Sequence, residues 1–156
     1  WAFATLGIIP APSLVAALSA QTERTSKNFK PQNVANTMWA FAKLGIRPSA
    51  ALVAGLGAQA ERASKDFTPQ AVANTLWAFS CLGIYPPKTS PLLKSLSVCR
   101  AKDFNIPVLT QLHQFFEGLE KEQALPVYLT GLAADCRAAV ALTRSTQSSK
   151  KPKRKD

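Results

Sequence analysis

The sequence is short of the side chains that most catalytic chemistry needs. It holds 1 histidine, His113, and 3 cysteines, Cys81, Cys99 and Cys136, with no short spacing between them. That set builds neither a zinc site nor a disulfide framework, so the cysteines read as isolated reduced thiols. Acidic residues number 9 against 19 basic ones, and no acidic cluster suits a metal. The glycines open no phosphate-cradling loop, and His113 has no nucleophile or ligand companion nearby in sequence. An enzyme is therefore not expected, nor a cofactor, a metal or a small-molecule substrate. No run of about 18 apolar residues exists, so no membrane span is expected. No signal or transit peptide is visible. The chain has no initiator Met and opens inside a repeat, so an upstream segment is expected. Sustained apolar-polar alternation is missing, and Val, Ile and Thr are not clustered, which removes the strand signal.

What is present is a period. PQNVANTMWAFAKLGIRP, Pro31 to Pro48, recurs as PQAVANTLWAFSCLGIYP, Pro69 to Pro86, and half of it opens the chain as WAFATLGIIP. Trp1, Trp39 and Trp77 stand 38 residues apart. LVAALSAQTERTSKNF and LVAGLGAQAERASKDF lie between the copies. A period of this length means stacked supersecondary units. Hydrophobic content is 47 % and net charge +10. The first is ample for a packed core, and the second points to polyanionic partners.

Local signals mark each helix. Gly7, Gly45 and Gly83 supply left-handed stops, with Ile8, Ile46 and Ile84 folding back on Phe3, Phe41 and Phe79. Proline follows each stop. A first helix is expected over roughly 12–26, with its copy over 50–64 capped by Ser49. Leu52, Val53, Leu56 and Ala60 give its apolar stripe. Gly55 and Gly57 weaken this copy by about 1 kcal/mol each and make sense only beside a closely approaching helix. The second helix of each repeat starts after Phe29 or Phe67. Thr68 caps it, Pro69 takes the first turn, and Phe67 staples onto Val72. Lys30 is a poor cap at the earlier copy.

A degenerate third unit follows. Ser90 and Pro91 open a helix expected to reach Lys102, and Asn105 caps another through Leu112, Phe116 and Leu119. Gln114 stands at the Trp position and Gln111 at the Asn position. A last helix is expected over roughly 126–144. The chain thus divides into helical repeats over 1–120, a C-terminal capping helix over 121–144 and a disordered basic tail over 145–156. The predicted class is all-α, a right-handed α-solenoid of antiparallel helix-turn-helix repeats forming a fragment of a longer superhelix.

FKPQNVANTMWAFAKLGIRP and FTPQAVANTLWAFSCLGIYP resemble the core of the octotricopeptide repeat, a helical repeat of organellar RNA-binding proteins in algae and other protists. The resemblance is strong from residue 1 to about 86 and weak from about 90 to 119. It implies sequence-selective binding of single-stranded RNA along the superhelix, and a role in chloroplast or mitochondrial RNA stability, processing, splicing or translation. Other RNA-processing proteins become candidate partners. Many family members carry a RAP domain; no RAP segment is recognisable here, so no nuclease activity carries over. The alternative from another class is an α-solenoid scaffold for protein partners.

Two sets of residues could touch RNA. On the second helices, Gln32, Asn36 and Lys43 form one stripe, repeated by Gln70, Asn74 and Cys81. Amides can bond a splayed base edge. Asn36 and Asn74 are the same residue in both copies, so an asparagine ladder bonding backbone across repeats fits them equally well. Positions that differ between copies are sharper candidates for specificity, above all Lys43 and Ser80. The second set is Arg24 and Lys27 with Arg62 and Lys65, a basic ladder for phosphates. These residues could equally complement helix dipoles. Trp39 and Trp77 could stack bases, though their apolar neighbours favour packing between repeats. The KKPKRK tail is similar to a nuclear localisation signal and keeps the nucleus as an alternative address.

Overall fold

The structure is a computed structural model that describes residues 1–149, with the backbone alone at 147–149. Among the described residues there are eight α-helices and no strand: α1 Ala2–Leu6, α2 Pro12–Thr25, α3 Pro31–Leu44, α4 Ala50–Arg62, α5 Pro69–Cys81, α6 Pro91–Lys94, α7 Ile106–Lys121 and α8 Thr130–Ser149. Short 3₁₀ turns at Ser26–Asn28, Ser64–Asp66, Ser95–Val98, Ala101–Asp103 and Val127–Leu129 link them.

The helices begin and end where local chemistry directs. Pro12, Pro31, Pro69 and Pro91 each fill a first helical position, where a missing N–H costs nothing. Ser49, Thr68, Ser90 and Asn105 accept from the backbone N–H of Leu52, Ala71, Leu93 and Val108 at 3.0, 3.2, 3.1 and 3.1 Å. Lys30 makes no side-chain cap bond. At the other ends, Gly7, Gly45 and Gly83 have φ of 68°, 65° and 72°. Ile8, Ile46 and Ile84 donate their N–H to the carbonyls of Phe3, Phe41 and Phe79 at 3.0, 3.0 and 2.9 Å. This is the six-to-one closure expected when glycine follows the last helical turn.

Three boundaries differ from expectation. α6 stops at Lys94 and passes into a 3₁₀ turn instead of running to Lys102. Ser95 bonds back to the Leu92 carbonyl at 2.6 Å, tightening the chain at that point. The last helix starts at Thr130, after a 3₁₀ turn that follows Pro126, and it continues to Ser149, so residues 145–149 are helical. The KKPKRK tail lies outside the described residues.

Packing follows the period. α1 lies on α3, α3 along α5, α5 along α7 and α7 along α8, while α2 touches α4 and α4 touches α6. Val34, Met38, Leu52, Leu56, Val72, Leu76, Leu92, Leu93, Leu112, Phe115, Phe116 and Leu129 belong to one buried cluster. Phe115 and Phe116 meet with ring centroids 5.6 Å apart. Tyr85 fills the space beside Gly118, where even a methyl group would collide with its ring. Gly55 faces Ser26, so α4 approaches a 3₁₀ turn there, and Gly57 meets only ordinary contact from Phe79. Equal sequence does not give equal burial. Leu52 and Leu56 are 0 % exposed, whereas their counterparts Leu14 and Leu18 on α2 are 39 % and 51 % exposed.

Polar struts fix one repeat against the next. Gln59, itself buried, donates from Nε2 to the Phe29 carbonyl at 2.6 Å. The Arg62 guanidinium bonds the Lys27 carbonyl and the Gln59 side chain. Glu23 accepts from the Ser49 hydroxyl, and Glu61 accepts from Ser90 and from the Leu92 N–H. One repeat's ER pair therefore anchors its neighbours on both sides.

Candidate nucleic-acid interface

Asn36, Gln70 and Asn74 of the amide stripe come together on one surface, whereas Gln32 is exposed and lines no part of it. Trp1, just before α1, Thr5 of α1, Asn36 and Trp39 of α3, Gln70 and Asn74 of α5, and Gln111 of α7 line an open groove of about 300 Å³. Asn105, Pro107 and Val108, at the start of α7, also line it. Helical spacing explains the set. Asn36 and Trp39 are three residues apart on α3, and the 38-residue period repeats that face on α5. Proline at the first turn of α3 and α5 sets where each helix begins, and so which residues face the groove.

The groove has an uncharged floor: none of its lining side chains is ionisable. The amides of Asn36, Asn74, Gln70 and Gln111 make no side-chain hydrogen bond among the described residues, and all four groups remain solvent-accessible. The asparagine ladder that sequence alone kept open is therefore not formed. Asn36, Asn74 and Gln111 are half-buried and Gln70 is exposed, and unpaired amides lining a cleft can each offer a donor and an acceptor to an incoming ligand. Aromatic faces beside them can stack a planar group.

The other expected residues fall around this groove or away from it. Lys43 is exposed on the Asn36–Trp39 stripe, one turn beyond Trp39. Ser80 is half-buried and donates to the Trp77 carbonyl at 2.8 Å, so its hydroxyl proton is already placed. Met38 and Leu76, another position that differs between the two copies, are fully buried and belong to the core. Arg62 is held by Gln59 and by the Lys27 carbonyl, and Arg24 bonds Gln21 at 2.5 Å. Arginine and lysine rungs of the basic ladder therefore differ. Arg62 is tied into a joint between repeats, whereas Lys27 and Lys65 stand exposed on the 3₁₀ turns before α3 and α5.

Sequence reasoning missed a further rung. Lys102 is exposed on the corresponding turn before α7, and AKDF matches the SKDF of Ser64 to Phe67. Counting from Phe104 backward would have found it. Asn105, singled out only as a cap, also lines the groove, and no local pattern predicts that second placement.

Other candidate sites offer less. An apolar pocket of about 200 Å³ lies among Trp1, Phe3, Val15, Leu18, Phe41 and Leu44, with no charged side chain to orient a ligand. His113 is buried beside Glu117 at 3.6 Å. Among the described residues no group of three or more His, Cys, Asp or Glu gathers as a metal site. No helix among them is long and apolar enough to cross a membrane. Burial pushes the thiols of Cys81 and Cys99 up in pKa, and that of Cys136 up to about 11, helped by the Asp135 carboxylate. None of the three is thereby primed as a nucleophile.

A comparison with curated proteins finds no match. A family profile described as "Tbc2 translation factor, N-terminal domain" matches residues 3–147. That span takes in the repeats together with α7 and α8, well past residue 119, where the octotricopeptide resemblance fades. The match covers nearly the whole sequence, and the chain belongs to the Tbc2 translation factor N-terminal domain family.

Proposed function

We propose that this chain binds single-stranded RNA in the service of organellar translation, in the chloroplast or mitochondrion, as an octotricopeptide-type helical repeat. The helix pairs then continue one right-handed α-solenoid, and the groove between α1 and α7 is its base-reading face. One observation carries the proposal: the amides of Asn36, Asn74, Gln70 and Gln111 share an open groove and spend no hydrogen bond on the protein itself. Base edges supply the complementary donors and acceptors. Lys27, Lys65 and Lys102, exposed on the turns before α3, α5 and α7, carry the phosphate attraction, with Lys43 exposed on α3. The role assigned is binding and contains no chemical step. Other RNA-processing proteins would then share the bound transcript.

A labelled single-stranded RNA pool titrated at several salt concentrations tests this reading. Affinity should fall steeply as salt rises, and duplex RNA of equal length should compete poorly. Absence of binding even at low salt would sink it. The uncharged floor favours a second reading, in which the same amides hold the backbone of an extended peptide on an α-solenoid scaffold. Binding to an unstructured peptide with little salt dependence, and none to RNA, would select that alternative.

A further inference from the structure

We infer that Trp39 is a stacking wall of the groove, with Trp1 on the same lining, and that Gln114 withdraws Trp77 from that duty. The inference rests on the RNA reading and adds to it which aromatic side chain meets a base. Trp39 and Trp77 occupy the same position of the 38-residue repeat, yet the structure gives them different surroundings. Trp39 is half-buried and lines the groove beside Asn36, and its indole N–H has no partner among the described residues. Trp77 packs against the buried cluster, and its N–H donates to Gln114 Oε1 at 2.8 Å. Gln114 holds the place that a tryptophan would take in the third unit. The loss of one tryptophan thus closes off the tryptophan before it.

The chemistry of the floor requires such a wall. An uncharged groove gains nothing from phosphate attraction, so a base there is held by amide hydrogen bonds and by its π-face. Trp39 stands three residues from Asn36, on the same helical face, so one base can stack on the indole while the amide meets its edge. Trp77 lines no part of this groove. The two tryptophans therefore divide the work: Trp39 faces the ligand, and Trp77 joins α5 to α7.

Anisotropy titrations of a short fluorescent single-stranded RNA pool, run with Trp39→Ala, Trp39→Phe and Trp77→Phe, test the division. Trp39→Ala should weaken binding roughly ten- to hundredfold, the scale on which loss of a base–aromatic stack registers. Trp39→Phe keeps a π-face and should recover most of the affinity. Trp77→Phe should bind as the wild type does, with a lower melting temperature. A further protein carrying Trp1→Phe and Trp77→Phe leaves Trp39 as its sole indole, and RNA should quench that fluorescence. This variant decides the matter if Trp39→Ala fails to fold. Wild-type affinity in a folded Trp39→Ala protein, or unquenched Trp39 emission at saturating RNA, overturns the inference while leaving the RNA reading in place. Wild-type protein that binds no RNA at low salt overturns both.

Discussion

Glu61 holds Ser90 and the start of α6 from the preceding repeat: its Oε1 accepts from the Ser90 hydroxyl at 2.5 Å, and its Oε2 from the Leu92 N–H at 3.2 Å. Ser90 is buried and caps Leu93 with the same hydroxyl. Removing the carboxylate leaves a hydroxyl and a helix-terminal N–H without their acceptor. Glu61→Ala should cost about 1–3 kcal/mol in urea unfolding. Glu23→Ala should cost less than about 1 kcal/mol, because its partner Ser49 is exposed and still caps Leu52. Equal losses in the two variants would contradict this account of the joints.

The same repeat position should respond differently according to burial. Leu56 is 0 % exposed and Leu18 is 51 % exposed. Leu56→Ala should lose about 2–5 kcal/mol by leaving a cavity in a closed core. Leu18→Ala should lose no more than about 1 kcal/mol, since water already reaches the site. Thermal melting of the two variants side by side checks it.

Arginine and lysine rungs should separate in function. Arg62→Ala should lower the melting temperature by freeing the Lys27 carbonyl and loosening Gln59, while the salt slope of RNA binding stays near wild type. Combined Lys27→Ala, Lys65→Ala and Lys102→Ala should leave melting unchanged. The triple change should reduce the logarithmic salt slope by about 2, as three lost phosphate contacts to a single strand require. A slope that moves with Arg62 and not with the lysines would reverse these assignments.

Cys136 makes a pH prediction. Its pKa is raised from 9.0 to about 11 by burial, with Asp135 adding to the shift. Between those values the folded state keeps a proton that the unfolded chain releases. Stability therefore falls as pH rises through that window, and it is unaffected by this thiol below the window. Cys136→Ala should show a shallower decline than wild type over the same range in denaturant titrations. Among the cysteines, Cys81 is the exposed one and should be alkylated first in the native protein.

The legibility of the sequence depended on how local each feature is. Gly45 and Ile46, or Thr68 and Pro69, set a helix boundary within a few residues, so their roles were readable from the string. The start of α8 was not, because Pro126 enters a 3₁₀ turn before the α-helix takes over at Thr130. At the candidate site, Asn36 and Asn74 were readable as a stripe, since helical spacing and the repeat period place them together. Whether they bonded backbone or faced solvent was not, because that depends on how closely α3 and α5 approach. The Arg62–Lys27 joint spans 35 residues, and the Trp77–Gln114 bond spans 37, so each appears only once distant segments pack together. Lys102 was legible and overlooked: the degenerate third unit keeps its turn while losing its tryptophan.

The most direct test is RNA affinity in the double variant Asn36→Ala with Asn74→Ala, read alongside its melting curve. Neither amide bonds the protein among the described residues, so melting should match wild type. Affinity for single-stranded RNA should drop roughly tenfold or more as two sets of base-edge hydrogen bonds are lost. Unchanged affinity in a protein that melts like wild type, or a sharp loss of stability in its place, would contradict the groove as the RNA-reading surface.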